Sequence, residues 1–215
     1  MTVKIKICGL NTPEAIKAAV QAGASHIGFV FFEKSPRNVT AEQVADLAAP
    51  IPEGIIKTGV FVNPGDDQLT QILALAPLDL IQLHGAETPA RVQEVKDRFG
   101  LPVMKAIAIA GPDDITRAKS YDTVADMLLF DAKAPVDLEN ALPGGNGLSF
   151  DWQLIRDTDW QVPWMLSGGL DQDNVAEALT ISGADYVDVS SGVETSPGRK
   201  SLDKINAFIS KVTSL

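Results

Sequence analysis

The feature of this sequence that most constrains its fold is a regular alternation of short apolar runs with longer amphipathic stretches. Eight runs of strand length occur in order, at residues 3–7, 26–31, 55–61, 80–83, 103–106, 127–130, 164–166 and 186–189. They are mostly apolar at both alternating sets of positions, as expected of strands in a parallel sheet that is buried on both faces. Eight strand–helix units in residues 1–215 predict a small α/β protein, a single-domain (β/α)8 TIM barrel. A doubly wound open parallel sheet is the alternative.

Several of the amphipathic stretches carry the signals of helix ends. Thr12 followed by Pro13 predicts the start of a helix, and Gly23 predicts its end. Thr40 and Gln43 have the spacing of a capping box. These signals support a helix after each strand.

Composition excludes several classes of partner. Hydrophobic residues make up 45% of the chain and charged residues 21%, which is typical of a globular protein. A formal charge of −10 argues against nucleic acid and anionic membranes as partners, although a small anionic substrate stays possible. Cys8 is the single cysteine, and His26 and His84 lie far apart, so neither a disulfide nor a metal site is predicted. With no signal peptide and no membrane-spanning apolar run, we expect a soluble, cytoplasmic protein.

Polar residues stand where predicted strands end, which is where a (β/α)8 barrel carries its chemistry. Cys8 ends strand one, Arg37 follows strand two, and His84 and Asp131 end strands four and six. Each has a structural interpretation as well. A lone cysteine such as Cys8 is often a small buried apolar residue. Arg37 could equally be a surface residue, and His84 a buried histidine whose hydrogen bonds are satisfied in the core. Asp131 has Lys133 close enough in sequence for an ion pair.

Two glycine-containing loops follow the last two strands. Gly168 and Gly169 follow strand seven, and Ser190, Ser191 and Gly192 follow strand eight. Glycines there let backbone N–H groups approach an anion, and these two loops are the recurrent phosphate site of such barrels. Tight turns are the alternative reason for the glycines. The long irregular stretch at 132–149 is also expected to be functional.

Motifs along the whole chain resemble phosphoribosylanthranilate isomerase. They begin with Lys-Ile-Cys-Gly-Leu at 6–10 and include Gln-Leu-His-Gly at 82–85 and Ser-Gly-Gly within 166–170. The others lie at 28–31, 35–37, 59–63, 144–147, 150–152, 188–194 and 197–200. Because these motifs are collinear over the length of the chain, the resemblance covers nearly all of it.

The resemblance implies a (β/α)8 barrel and an isomerase of tryptophan biosynthesis. This family carries out an Amadori rearrangement of N-(5-phosphoribosyl)anthranilate to 1-(2-carboxyphenylamino)-1-deoxyribulose 5-phosphate. It implies a small-molecule substrate, no cofactor and no metal, and a monomer or homodimer. By position, Cys8 corresponds to the general base and Asp131 to the general acid. A base of this kind calls for positive potential, which would lower the pKa of Cys8.

Further site residues are implied in the same way. Arg37 corresponds to the arginine that contacts the anthranilate carboxylate, and His84 to a position beside the pocket. Backbone groups of the phosphate loops are implied at Gly168, Gly169, Ser190, Ser191 and Gly192. The chain departs from the family at Asn146, where Thr or Ser is frequent, and at Leu148, where Lys or another polar residue is frequent, so no direct polar contact from this loop is expected.

Two other functions are compatible with a barrel that binds phosphate. One is a related phosphosugar enzyme such as indole-glycerol-phosphate synthase, which uses a lysine acid inside the barrel, whereas strand one here offers Cys8. The other is a non-catalytic barrel that binds a phosphorylated metabolite. That barrel would be recognised by the loss of Cys8 or Asp131, and both are present.

Overall fold

The computed structural model describes residues 2–133, 144–145 and 147–215. Its main strands are β1 (Lys4–Cys8), β2 (His26–Phe31), β3 (Ile56–Phe61), β4 (Leu80–Leu83), β5 (Val103–Ile109), β6 (Met127–Ala132), β7 (Trp164–Leu166) and β8 (Tyr186–Val189). All pair in parallel and in chain order, and β1 pairs with both β2 and β8. The sheet is therefore a closed barrel, which confirms the predicted fold and excludes the open sheet.

A helix follows each strand and covers the outside of the barrel. The helices are α1 (Pro13–Ala22), α2 (Ala41–Ala48), α3 (Asp66–Leu75), α4 (Pro89–Phe99), α5 (Pro112–Lys119), α6 (Gln153–Arg156), α7 (Val175–Ser182) and α8 (Leu202–Thr213). The predicted signals are confirmed at α1, where Thr12 caps the start and Gly23 ends the helix at φ 105°. The capping box of Thr40 and Gln43 forms at the start of α2. Within the described residues, no helix combines the length and apolarity needed to cross a membrane.

The structure differs from the sequence-based boundaries at the open end of the barrel. Strands β5 and β6 are longer than predicted because they stay paired to their ends, with Ala108 opposite Asp131 and Ile109 opposite Ala132. Asp131 therefore lies inside its strand, where the sheet fixes its backbone. A hairpin of β9 (Glu194–Ser196) and β10 (Arg199–Lys200) was not predicted, since its strands are too short for a periodic pattern.

The long loop after β6 was expected to be functional. Residues 134–143 and Asn146 lie outside the described residues. Gly144 and Gly145 are described, and both line the open end of the barrel. Leu148 is half-buried, and its carbonyl packs closely against Gly169.

The interior of the barrel changes character along its axis. An apolar cluster that includes Leu80, Met104 and Met165 fills the end where the strands begin. Because side chains alternate along a strand, residues two apart face the same interior. A buried polar layer follows, formed by Lys6, Thr58, Gln82 and Asp188. Lys6, Thr58 and Gln82 of this layer lie beneath the residues that surround the open end, whereas Asp188 also lines the cavity there.

Candidate active site

A cavity opens where the carboxyl ends of the strands meet. Of the residues predicted from sequence, the cavity is lined by Cys8, Arg37, His84, Asp131, Gly168, Gly169, Ser190 and Ser191. The remaining one, Gly192, follows Ser191 without lining the cavity. In the described part of the chain, no three His, Cys, Asp or Glu side chains cluster so that they could hold a metal ion.

Cys8 lies at the end of β1 and is 7% exposed. Its sulfur lies against Gly28 of β2, where an added Cβ would be only 2.8 Å from Sγ. Burial raises the pKa of the Cys8 thiol, Lys6 and Lys200 oppose that rise, and Asp188 adds to it. The expectation that the pKa would be lowered is therefore wrong. Positive charge is present as predicted, but desolvation outweighs it.

Lys6 supplies part of that positive charge, and the sequence-based interpretation missed it. Its side chain is fully buried two residues before Cys8, and its Nζ donates to Asp188 Oδ1 at 2.7 Å. Ser167 Oγ donates to the other Asp188 oxygen at 3.0 Å. Burial alone would lower the pKa of Lys6, but Asp188 and Cys8 outweigh it and the pKa is raised. The available signal was a lysine on the same strand face as the cysteine.

Asp131 enters the cavity from the opposite part of the wall. Its Oδ1 accepts the N–H of Ala132 at 2.8 Å, and its Oδ2 lies 3.2 Å from His84 Nε2. Lys133, considered from sequence as a structural partner, instead pairs with Asp114 at 3.3 Å. Asp131 is 5% exposed. Its side chain lines the cavity and does not pair with Lys133.

His84 connects Asp131 to the buried polar layer. Its Nδ1 lies 2.8 Å from Nε2 of Gln82, which is completely buried. Gly144 packs over the contact between His84 and Asp131, since an added Cβ would lie 2.5 Å from His84 Nε2 and 2.6 Å from Asp131 Oδ2. The imidazole is therefore held between two defined partners at the cavity wall.

Arg37 is buried beside the cavity and held by Glu194. Its Nε and Nη2 donate to the two Glu194 carboxylate oxygens at 2.8 and 2.9 Å. Its Nη1 faces Gly145, where an added Cβ would lie at 2.8 Å. The guanidinium is thus fixed by one carboxylate before any substrate binds, an arrangement that the sequence did not reveal.

Lys200 of β10 contacts both Glu194 and the loop that follows β8. Its Nζ donates to Glu194 Oε1 at 2.7 Å and to the Ser190 carbonyl at 2.9 Å. Burial lowers the pKa of Lys200, against the opposing effect of Glu194. Burial would raise the pKa of Glu194, but Arg37 and Lys200 outweigh it and lower that pKa. Two cations thus share one carboxylate here, which leaves a net positive charge beside the cavity.

The two glycine-containing loops meet at one side of the cavity. Gly168 and Gly169 have φ values of 90° and 62°, which favour glycine. An added Cβ at Gly192 would lie 2.0 Å from the Leu170 carbonyl oxygen, so the two loops are in direct backbone contact. This close approach brings the backbones of the two loops together at one side of the cavity.

Comparison with known proteins identifies the family. A profile of N-(5'phosphoribosyl)anthranilate (PRA) isomerase matches residues 5–211. An N-(5'-phosphoribosyl)anthranilate isomerase from Paracoccus denitrificans is 56% identical over 213 residues, covering 99% of this chain and 98% of its own. Another from Rhodospirillum centenum is 51% identical over 215 residues, covering 100% of both chains.

Solved structures agree with the sequence comparison. The phosphoribosyl anthranilate isomerase from Thermotoga maritima superposes with a TM-score of 0.89 at 33% identity and 100% coverage of both chains. A phosphoribosyl anthranilate isomerase in complex with reduced 1-(o-carboxyphenylamino)-1-deoxyribulose 5-phosphate gives a TM-score of 0.84 at 32% identity, with the same coverage. Identity above one half along the full length, on a shared barrel, shows that this chain belongs to the N-(5'-phosphoribosyl)anthranilate isomerase family.

Proposed function

We propose that Asp131 is the general acid and Cys8 the general base in the Amadori rearrangement of N-(5'-phosphoribosyl)anthranilate. The observation that carries this proposal is that both side chains line one cavity from β1 and β6, which are not neighbours in the barrel. An acid and a base that act on different atoms of one small substrate need such separation. The related structure in complex with a reduced deoxyribulose phosphate supports a substrate of this class.

Membership of the family makes the chain an isomerase of tryptophan biosynthesis. It excludes both alternatives raised from the sequence, the related synthase and the non-catalytic phosphometabolite-binding barrel. The interior lysine, Lys6, is engaged by Asp188 at 2.7 Å and lies beneath Cys8 rather than taking its place.

The proposed reaction begins with ring opening. Asp131, as the carboxylic acid, gives its proton to the ribose ring oxygen while the C1'–O bond breaks toward that oxygen. The anilino nitrogen supplies the electron pair that forms the Schiff base. The Cys8 thiolate then removes the C2' proton, and the released electron pair gives the enolamine. Gain of a proton at C1' and loss of the O2' proton yield the ketone, 1-(2-carboxyphenylamino)-1-deoxyribulose 5-phosphate.

The surroundings of Cys8 suit a base that removes a proton from carbon. Because burial raises its pKa, the thiolate is a stronger base once it forms. Lys6 and Lys200 ease its formation, since both oppose the effect of burial on that pKa. We therefore propose that Lys6 is a positioning residue, which acts on the reaction by favouring the thiolate form of Cys8.

The two ends of the substrate are held by different groups. Backbone N–H groups of Gly168, Gly169, Ser190, Ser191 and Gly192 bind the phosphate, which the contact between the two loops supports. Arg37 binds the anthranilate carboxylate through its Nη1 side, because its other face is occupied by Glu194. His84 contacts Asp131 rather than the phosphate loops.

The test is the loss of the natural fluorescence of freshly prepared phosphoribosylanthranilate on addition of purified protein. We expect turnover in the wild type. We expect Cys8→Ala and Asp131→Asn each to lower kcat by about 100-fold or more while substrate still binds. Normal turnover in either variant would remove that residue from the mechanism.

Asp126→Asn is the matched control for the acid. Asp126 lies just before β6, at the other end of the barrel, and accepts the Val103 N–H at 2.9 Å. An asparagine keeps an acceptor for that N–H, so kcat should stay at the wild-type value. A large loss in this control would mean that loss of a carboxylate next to β6, far from the cavity, also impairs the enzyme.

A further inference from the structure

Gln82, in the buried polar layer, contacts His84, and His84 in turn contacts the proposed acid Asp131. Gln82 lies on β4, two residues before His84, and is completely buried. We propose that Gln82 is a positioning residue for the isomerisation: its amide holds His84 in the neutral tautomer whose Nε2–H points at Asp131. This inference rests on the proposed role of Asp131 as the general acid.

The three side chains form a continuous hydrogen-bonded chain. Gln82 Nε2 lies 2.8 Å from His84 Nδ1, and His84 Nε2 lies 3.2 Å from Asp131 Oδ2. With the amide in this orientation its nitrogen donates to Nδ1, so Nδ1 accepts and the ring proton sits on Nε2. That N–H then donates to Asp131 Oδ2, while Oδ1 accepts the Ala132 N–H.

This arrangement closes one route by which Asp131 could lose its proton before it reaches the substrate, which is transfer to His84. A free imidazole is ordinarily a stronger base than a carboxylate. In the tautomer that Gln82 selects, the ring nitrogen facing Asp131 already carries its proton, and the other nitrogen is capped by a donor. His84 therefore does not take the acid's proton. Its N–H also stabilises the carboxylate that remains after proton donation, because hydrogen bonds to ionised acceptors are the stronger ones.

Among the described residues, His84 is the one hydrogen-bond partner of the Gln82 side chain, so the orientation of the amide and the tautomer of His84 are coupled. Within the described residues, Gln82 Oε1 is buried without a hydrogen-bond partner. The two orientations of a glutamine amide have the same shape and are distinguished by their partners. In the reverse orientation Nδ1 would carry the proton and donate to Oε1, leaving a lone pair of Nε2 facing Asp131. The two orientations thus differ in a measurable property of His84.

The tautomer can be read from long-range proton–nitrogen correlation spectra of the uniformly nitrogen-15-labelled full chain. The chain has two histidines, so His84→Asn assigns the two imidazole patterns. At neutral pH we expect His84 of the wild type to be protonated on Nε2 alone. In Gln82→Glu a carboxylate replaces the donor, so we expect Nδ1 to become protonated. In Gln82→Met the donor is lost at similar volume, so we expect a mixture of tautomers.

The same variants should lower kcat with little change in KM, since Gln82 lies beneath the substrate rather than against it. We expect kcat to fall by roughly 10-fold, less than the ~100-fold or more expected on loss of the acid itself. Thr58→Val is the control. Thr58 Oγ1 belongs to the same polar layer and is likewise buried without a partner among the described residues. Its removal should leave the His84 tautomer and kcat unchanged.

Protonation of Nδ1 in the wild type would overturn the inference, and so would an unchanged tautomer in both Gln82 variants. A loss of kcat with an unchanged tautomer would also overturn it, because Gln82 would then act by another route. If a Gln82 variant fails to fold, the wild-type spectrum still decides. Full activity of Asp131→Asn would instead refute the acid role and leave the spectroscopic result for Gln82 standing.

Discussion

Replacing Lys6 with methionine should reduce the fraction of Cys8 that is thiolate without changing Cys8 itself. The side chain keeps a similar length but loses the charge that opposes the raised pKa of Cys8. Its loss therefore raises that pKa further, and the thiolate forms only at higher pH. We expect kcat/KM to fall at neutral pH, and the limb of the pH–rate profile that belongs to the base to move to higher pH.

The size of the effect follows from the contact between the two side chains. Lys6 opposes the raised pKa of Cys8 through its charge and through a side-chain hydrogen bond. A hydrogen bond to a charged group contributes about 1.5–3 kcal/mol. We therefore expect kcat/KM at neutral pH to fall by roughly 10- to 100-fold. Stability should also fall by about 3–5 kcal/mol, because Asp188 loses its partner in a buried ion pair.

The thiolate can be followed by its ultraviolet absorbance, with Cys8→Ala as the blank that removes the ionisation of the two tyrosines, because the chain has one cysteine. Lys105→Met is the matched control. Lys105 is also a buried barrel lysine, and it pairs with Glu87 at 3.0 Å. This control should lose comparable stability while the Cys8 titration stays as in the wild type. A folded Lys6→Met protein with an unshifted Cys8 titration would refute the reasoning.

Three further outcomes test other parts of the site. Arg37→Ala should raise KM more than it lowers kcat in steady-state assays, and an unchanged KM would contradict its assignment to the anthranilate carboxylate. Gly28→Ala should lower kcat by about 10-fold or more, because its Cβ would lie 2.8 Å from Cys8 Sγ and displace the thiol. Full activity would show that the thiol position is not critical. Burial, assisted by Lys6, lowers the pKa of His26 from 6.5 to about 4, so the folded protein keeps this imidazole neutral where the unfolded chain binds a proton. Urea unfolding should therefore show stability present above pH 6.5 and lost by up to about 3 kcal/mol as the pH falls toward 4, and His26→Gln should remove this loss.

The sequence was sufficient for the architecture because its signals are local. Apolar runs, helix caps such as Thr12 and terminators such as Gly23 each act within a few residues, and all of these predictions are confirmed. Asp131 and Cys8 could be singled out because a parallel barrel places all strand ends on one face. The β9–β10 hairpin was not predicted because its strands have only three and two residues, which is too short for an alternating hydrophobic pattern.

The ion pairs of the site and the pKa of Cys8 could not be predicted from the sequence. Lys6 and Asp188 are 182 positions apart, and Arg37 and Glu194 are 157 apart, yet each pair is in contact. Such pairs depend on barrel closure and strand register, which no local pattern encodes. Burial likewise reversed the expected direction of the Cys8 pKa. Residue types and their strand positions thus follow from the chain alone, whereas the partners and the solvation of each charge arise only when distant strands enclose a common interior.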